Sequence, residues 1–274
     1  MKHLPLTIFS VFIQAAAGVM IFVAIGNFLS KEANYNGVVI IAACLAVIGL
    51  LASLLHLGRP LHAAKALFNF TTSWLSREIW VTAAFSGLTV STALFIILKP
   101  EAMTIINVLA SASAIIGLVE VYVMTAVYTS TSVPAWQHGS IFAEFYAAAI
   151  SMGAVLFYSL SIKELFNMQQ IIVAAVAIAV IVQVVAMALY YVDLGANGGL
   201  AVQQSLAVLK SMGLATIIKW LFILLGTGLL FYSVLGEGTG VFYTYSSLAL
   251  VLIGQFVGRY LFYDTMIITQ VGLK

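Results

Sequence analysis

The chain has 274 residues, of which 63% are hydrophobic and only 7% charged, with a formal net charge of +2. A soluble domain carries about 25% charged side chains, so the composition excludes a water-soluble protein. The absence of any dense basic patch excludes nucleic acid as a partner.

A bilayer core of about 30 Å takes roughly 20 apolar residues per helix. Eight runs reach that length: Pro5–Leu29, Gly37–Leu57, Ile79–Leu98, Met103–Tyr128, Ile141–Ile162, Ile171–Val192, Met212–Leu235 and Phe242–Ile268. The expected fold class is therefore all-α, a polytopic membrane protein with eight transmembrane helices in one domain spanning residues 1–274. The first run opens Met-Lys-His-Leu-Pro and continues past Ala15–Ala17, which reads as an uncleaved span rather than a signal peptide. Cys44, the single cysteine, lies in the second run and reads as a small packing residue. One cysteine excludes an intrachain disulfide, and an iron–sulfur cluster or thiolate zinc site carried by this protein alone. Gly58 and Pro60 close the second run, and Pro60 biases Arg59 away from helix. Residues 58–78 form an interfacial connecting segment: too polar to cross, yet apolar on one side through Leu67, Phe68, Phe70, Trp74 and Leu75. Asn34-Tyr35-Asn36-Gly37, Lys99-Pro100 and Gly236–Gly240 read as turns. No internal repeat is visible.

Eight spans put both termini on one side, here face A. That face also holds the 58–78 segment, the Pro134–His138 loop and the Asp193–Lys210 loop. Outside the helix interiors, face A carries Lys2, Arg59, Lys65, Arg77, Lys210 and Lys274, against Lys31, Lys99 and Lys163 on face B. This bias favours a cytoplasmic face A.

Ionisable residues inside spans are costly and default to functional roles. At 1.5 Å per residue, Glu78 opens the third helix at face A, with Ser76 as its cap, and Glu120 lies about 12 Å from the face A end of the fourth. Glu144 is one turn into the fifth helix, Lys219 about two turns into the seventh, and Arg259 about two turns from the end of the eighth. Gln14 and Gln255 lie at intermediate depth. All four histidines, His3, His56, His62 and His138, fall at face A, and the face B half reads as almost uniformly apolar. A one-sided polar pocket suits a lipid-soluble ligand with a polar head. A transporter or channel without redox partners is the alternative, and it calls for polar groups along a full path.

His56 ends its helix either as a C-terminal cap, where a cation suits the helix dipole, or as a base that titrates near neutrality. Glu78 is either a helix N-terminal acid or a proton relay, and Arg77 beside it pairs with Glu78 or with a partner subunit. His62 and His138 read as interfacial. Tyr122, Tyr128 and Trp136 either line a ring-binding site or belong to an interfacial aromatic belt. No histidine lies deep in any span, so no buried bis-histidine haem is expected.

Several local motifs, in this order, carry a family resemblance. They are His3-Leu4-Pro5-Leu6 with Phe9-Ser10-Val11-Phe12 and Gln14; Leu55-His56-Leu57-Gly58-x-Pro60; Ser76-Arg77-Glu78-Ile79; Val133-Pro134-x-Trp136; and Gly258-Arg259-x-x-Phe262-Tyr263. The protein resembles, nearly end to end, the membrane-anchor subunits of bacterial dimethyl sulfoxide reductase (the DmsC family), relatives of polysulfide reductase-type quinone-reactive anchors. The resemblance implies an eight-span, haem-free anchor in the bacterial inner (cytoplasmic) membrane that oxidises menaquinol for anaerobic respiration. It implies two partners, an iron–sulfur electron-transfer subunit and a molybdopterin catalytic subunit, which hold the clusters and the molybdopterin. The family's quinol-site histidine matches His56 and its essential glutamate matches Glu78. Gln14, Arg77, Tyr128 and Arg259 are the further quinol-binding candidates.

Overall fold

The computed structural model describes residues 3–29, 34–55, 69–161, 168–196, 199–236 and 241–266. His56, His62, Arg59 and Lys65, with most of the connecting segment, lie outside the described residues. Among those described, nine α-helices follow one another: α1 (Leu4–Leu29), α2 (Asn36–Leu55), α3 (Trp74–Leu98), α4 (Met103–Thr129), α5 (Ser140–Leu160), α6 (Gln169–Ala196), α7 (Leu200–Ser211), α8 (Gly213–Leu235) and α9 (Val241–Asp264). A single 3-10 turn, Pro134–Trp136, precedes α5. All but α7 are long and apolar enough to cross a membrane, which gives the eight expected spans.

One boundary moves. α3 begins at Trp74, because the Ser73 side chain, not that of Ser76, caps it by accepting from the Ser76 amide. The last five residues of the connecting segment are therefore helical, and Glu78 sits one turn inside α3 instead of opening it. The Asp193–Lys210 stretch also differs from a plain loop. Its second part is α7, which buries Ala201, Ser205 and Leu209 at helical spacing and packs on the Pro134–Trp136 turn.

α1 is the central post. It packs against α2, α4, α5 and α9, and buries residues on every side. Its crossing with α5 depends on two glycines: a Cβ at Gly153 would run into the Gly18 backbone, and one at Gly18 into the Ala149 carbonyl. Small residues that let backbones meet are the usual membrane solution, since lipid gives apolar side chains little reason to prefer each other. The lipid side is equally clear on α2, where Ile41, Cys44, Val47, Ile48 and Leu51 are exposed along one face. Cys44 is thus not a core packing residue. Its place in the helical repeat turns it away from α1, a fact that an all-round apolar run conceals.

Candidate functional site

The face A half of the bundle encloses a network of polar side chains drawn from four helices. Arg259 of α9 donates from Nη2 to Gln14 Oε1 of α1 at 2.7 Å and lies 3.8 Å from the Glu144 carboxylate of α5. The Arg259 guanidinium carbon also stands 3.4 Å from the Phe145 ring centroid, a contact that favours a cation away from water. Lys219 of α8 donates to the other Glu144 oxygen at 3.1 Å. Arg259 is 3% exposed and Lys219 4%. Two cations therefore share one carboxylate, and Arg259 Nη1 has no hydrogen-bond partner among the described residues.

Tyr128 stands beside this network. It accepts a hydrogen bond from Tyr263 at 2.9 Å, and its ring meets Trp136, Phe145, Phe262 and Tyr263. Trp136 stacks on Phe262 and donates to the Phe262 carbonyl at 3.1 Å, which pins the 3-10 turn onto the end of α9. Tyr122 belongs elsewhere: it is exposed and packs with Trp74 and Phe142. His138 bridges its loop to the end of α6, with Nδ1 on Ser140 and Nε2 3.3 Å from Asp193.

Glu78 completes the described part of the predicted set. It is 6% exposed, and its Oε1 has no hydrogen-bond partner among the described residues. Glu120, Tyr128 and Tyr263 lie within electrostatic reach of it. Of the sequence candidates, the structure brings Gln14, Arg259, Tyr128 and Glu78 into one neighbourhood. Arg77 turns away from it: the guanidinium donates to the Phe70 and Thr71 carbonyls at 3.0 and 2.7 Å and lies over Trp74, clasping the segment that leads into α3. His56, the remaining candidate, is outside the described residues.

Gln255 stood out in the sequence, but its partners and several hydroxyls escaped sequence reading. Near the middle of α5, α6 and α9, Gln255 donates to Ser151 and Gln183 at 3.1 and 3.0 Å, and Gln183 donates to Ser151 at 3.3 Å. Hydroxyl side chains also line the α3–α4 interface well past Glu120: Thr89 and Ser113 meet at 2.6 Å. The face B half is therefore not uniformly apolar inside. Serine and threonine hide in a hydropathy profile because they close hydrogen bonds on their own helix, as Thr89 does on the Phe85 carbonyl at 2.8 Å. Between α5, α6, α7, α8 and α9 lies a mostly apolar pocket of about 570 Å³, open mouth included, with Glu144, Lys219, Tyr190 and Phe262 in its wall. Among the described residues no three His, Cys, Asp or Glu side chains are grouped as metal ligands.

The geometry thus gives a membrane bundle with a buried polar site near one face. The family model for the DMSO reductase anchor subunit (DmsC) matches residues 1–265. The C subunit of anaerobic dimethyl sulfoxide reductase from Haemophilus influenzae is 30% identical over 267 residues, which is 95% of this protein and 94% of that one. The corresponding C subunit from Escherichia coli is 28% identical over 274 residues, 94% and 93% of the two lengths. The E. coli anaerobic dimethyl sulfoxide reductase subunit YnfH is 31% identical over 158 residues, 56% of this protein and 55% of its own length. With a family match over nearly the whole sequence and the eight spans in place, this protein belongs to the DmsC family of dimethyl sulfoxide reductase anchor subunits.

Proposed function

We propose that this multi-pass anchor subunit oxidises menaquinol within its reductase complex, using His56 and Glu78 as proton acceptors. The observation that carries the reading is Glu78: a carboxylate buried to 6% exposure, one turn inside α3, with an oxygen that no described residue engages. A buried acid in that state is costly unless a ligand or proton uses it. Menaquinol enters from the bilayer at face A. Its two O–H bonds break, the protons go to His56 and Glu78, the ring becomes the quinone, and two electrons pass to the iron–sulfur subunit docked at that face. The molybdopterin subunit then reduces dimethyl sulfoxide or a similar acceptor. Arg259, bonded to Gln14, and Tyr128, bonded to Tyr263, supply further polar groups to the site, while Arg77 holds the connecting segment against the start of α3. No haem takes part, and the complex resides in the bacterial inner membrane.

The test uses the assembled complex. His56→Ala and Glu78→Gln should each lower quinol-driven turnover by roughly 10²-fold, the lower range for acid–base groups. An artificial donor that reduces the partner directly should still be oxidised. Normal quinol-driven turnover in either variant removes that residue from the site; loss of artificial-donor activity as well makes it an assembly residue. The pocket beside Glu144 and Lys219 favours a second reading, in which the ring binds in that pocket with the hydrogen-bonded Lys219–Glu144 pair in its wall. Under that reading Lys219→Met, not Glu78→Gln, abolishes quinol use.

A further inference from the structure

Two buried polar groupings deepen the bundle, and they differ in kind. The Ser151–Gln183–Gln255 trio is closed on itself by three hydrogen bonds, as interhelical polar glue should be. The row along α3 and α4 is open. On α3, Glu78, Thr82, Ser86, Thr89 and Thr92 recur at steps of four, four, three and three, which places them on one helix face. All are buried, none more than 6% exposed. α4 runs antiparallel in a single register: Thr82 donates to Glu120 Oε1 at 2.6 Å, and seven residues further along both helices Thr89 meets Ser113 at 2.6 Å. Three oxygens on this row have no hydrogen-bond partner among the described residues: Glu78 Oε1, Glu120 Oε2 and Ser86 Oγ.

The row also leads somewhere. The same register sets Ala110 across from Thr92, and Ala110 and Ile96 line a second pocket that opens at face B. That pocket encloses about 780 Å³, mouth included, and is rimmed by Asn27, Asn34, Asn36 and Asn107. The three-residue steps on α3 advance about 4.5 Å along the axis, a gap that one bridging water closes with two ordinary O–H···O bonds. On the four-residue steps of about 6 Å either side of Thr82, the Glu120 carboxyl, which accepts from Thr82 at 2.6 Å, supplies the extra reach.

We propose that the α3–α4 row conducts protons between Glu78 and face B, so that a proton removed from quinol at the face A end is released on the opposite side of the membrane. The inference rests on the quinol reading above. In each step an oxygen gives up the proton it holds and receives one from behind. Glu78 passes its proton to Glu120, Thr82 and Ser86 carry it on, the Thr89–Ser113 pair hands it past Thr92, and the asparagine-rimmed pocket delivers it to water. The electrons take the separate route to the docked partner; the quinol loses two protons and two electrons, so the charge balances at the ring, while the two paths separate charge across the membrane. The hydroxyls end each passage protonated as they began.

The experiment reconstitutes the whole complex into proteoliposomes with one pH dye inside and another outside, and drives it with a menaquinol analogue and the terminal acceptor. A tag in the Lys99–Glu101 turn reports which side face B occupies. The native complex should release protons on face B. Thr89→Val with Ser113→Ala keeps the packing volume but removes both hydroxyls, and should slow face B release by at least tenfold, with artificial-donor turnover unchanged; Thr89→Ser alone should retain it. Release on face A by a native complex that oxidises quinol overturns the conduction proposal and leaves the quinol reading standing. Unaltered face B release by the double variant also overturns it and makes the hydroxyls packing glue. A native complex that oxidises no quinol overturns both.

Discussion

Removing Glu144 and removing Lys219 break the same 3.1 Å contact, yet they should have very different consequences. Among the described residues Glu144 is the one acid facing both cations, with Arg259 3.8 Å away on its other oxygen. Glu144→Gln therefore leaves two buried cations and no counter-charge. Breaking a buried ion pair by removing one partner costs about 3–5 kcal/mol, and here the like charges left behind add to it. Lys219→Met keeps an apolar stem of similar length and leaves Glu144 with Arg259, a neutral pair. Since apolar replacement of buried charge is often neutral or stabilising, that variant should change stability by no more than about 1 kcal/mol. The double variant returns to a single cation, Arg259, still bound to Gln14 at 2.7 Å, and should recover much of the loss caused by Glu144→Gln. Denaturant or thermal unfolding of the purified protein in detergent, run as a double-mutant cycle, measures all three. If Lys219→Met destabilises as much as Glu144→Gln, the charge count is wrong and the contact acts as an isolated pair.

The helix crossing gives a second contrast: Gly153→Ala should cost about 1–3 kcal/mol by overpacking against Gly18. Gly87→Ala and Gly228→Ala, where an added Cβ meets nothing within 4 Å, should be neutral or gain up to about 1 kcal/mol from helix propensity in the same unfolding assay. Tyr263→Phe deletes the donor to Tyr128 and should cost about 1 kcal/mol. Cys44→Leu, on the lipid face, should leave stability within about 0.5 kcal/mol.

The eight spans were legible because hydropathy and length set them, and seven of the eight starts expected from sequence fall within two residues of the helix starts observed. The exception, α3, begins with an amphipathic turn, Trp74 to Arg77, whose polar half masks its helical half. Charged residues were legible too, since each stands out in an apolar run, and Arg259 and Gln14 do meet. What the sequence concealed is direction. Cys44 and Ala42 sit two residues apart in the same run, one exposed and one fully buried. Arg77 and Glu78 are adjacent, yet one faces the connecting segment and the other the interior. The helix α7 was within reach: Ala201, Ser205 and Leu209 recur at fours, a signal weakened by the glutamines between them. Pairings such as Thr89 with Ser113 depend on interhelical register, which no pattern along one sequence contains.

The position of α1 also orders the making of the protein. Of the eight spans α1 has most of its surface covered in the end, and its partners α4, α5 and α9 are all made after it. Until then its small-residue face, Ala15 to Gly18, must wait in lipid. The Gln14 side-chain oxygen waits longest, because its donor Arg259 lies 245 residues downstream on α9, whereas its NH2 group finds Met124 Sδ on α4 earlier. The first four spans are therefore not a free-standing half of this bundle. A polypeptide stopped before α9 retains a Gln14 side-chain carbonyl oxygen without its Arg259 donor at the heart of the central helix, and arrival of α9 closes that contact.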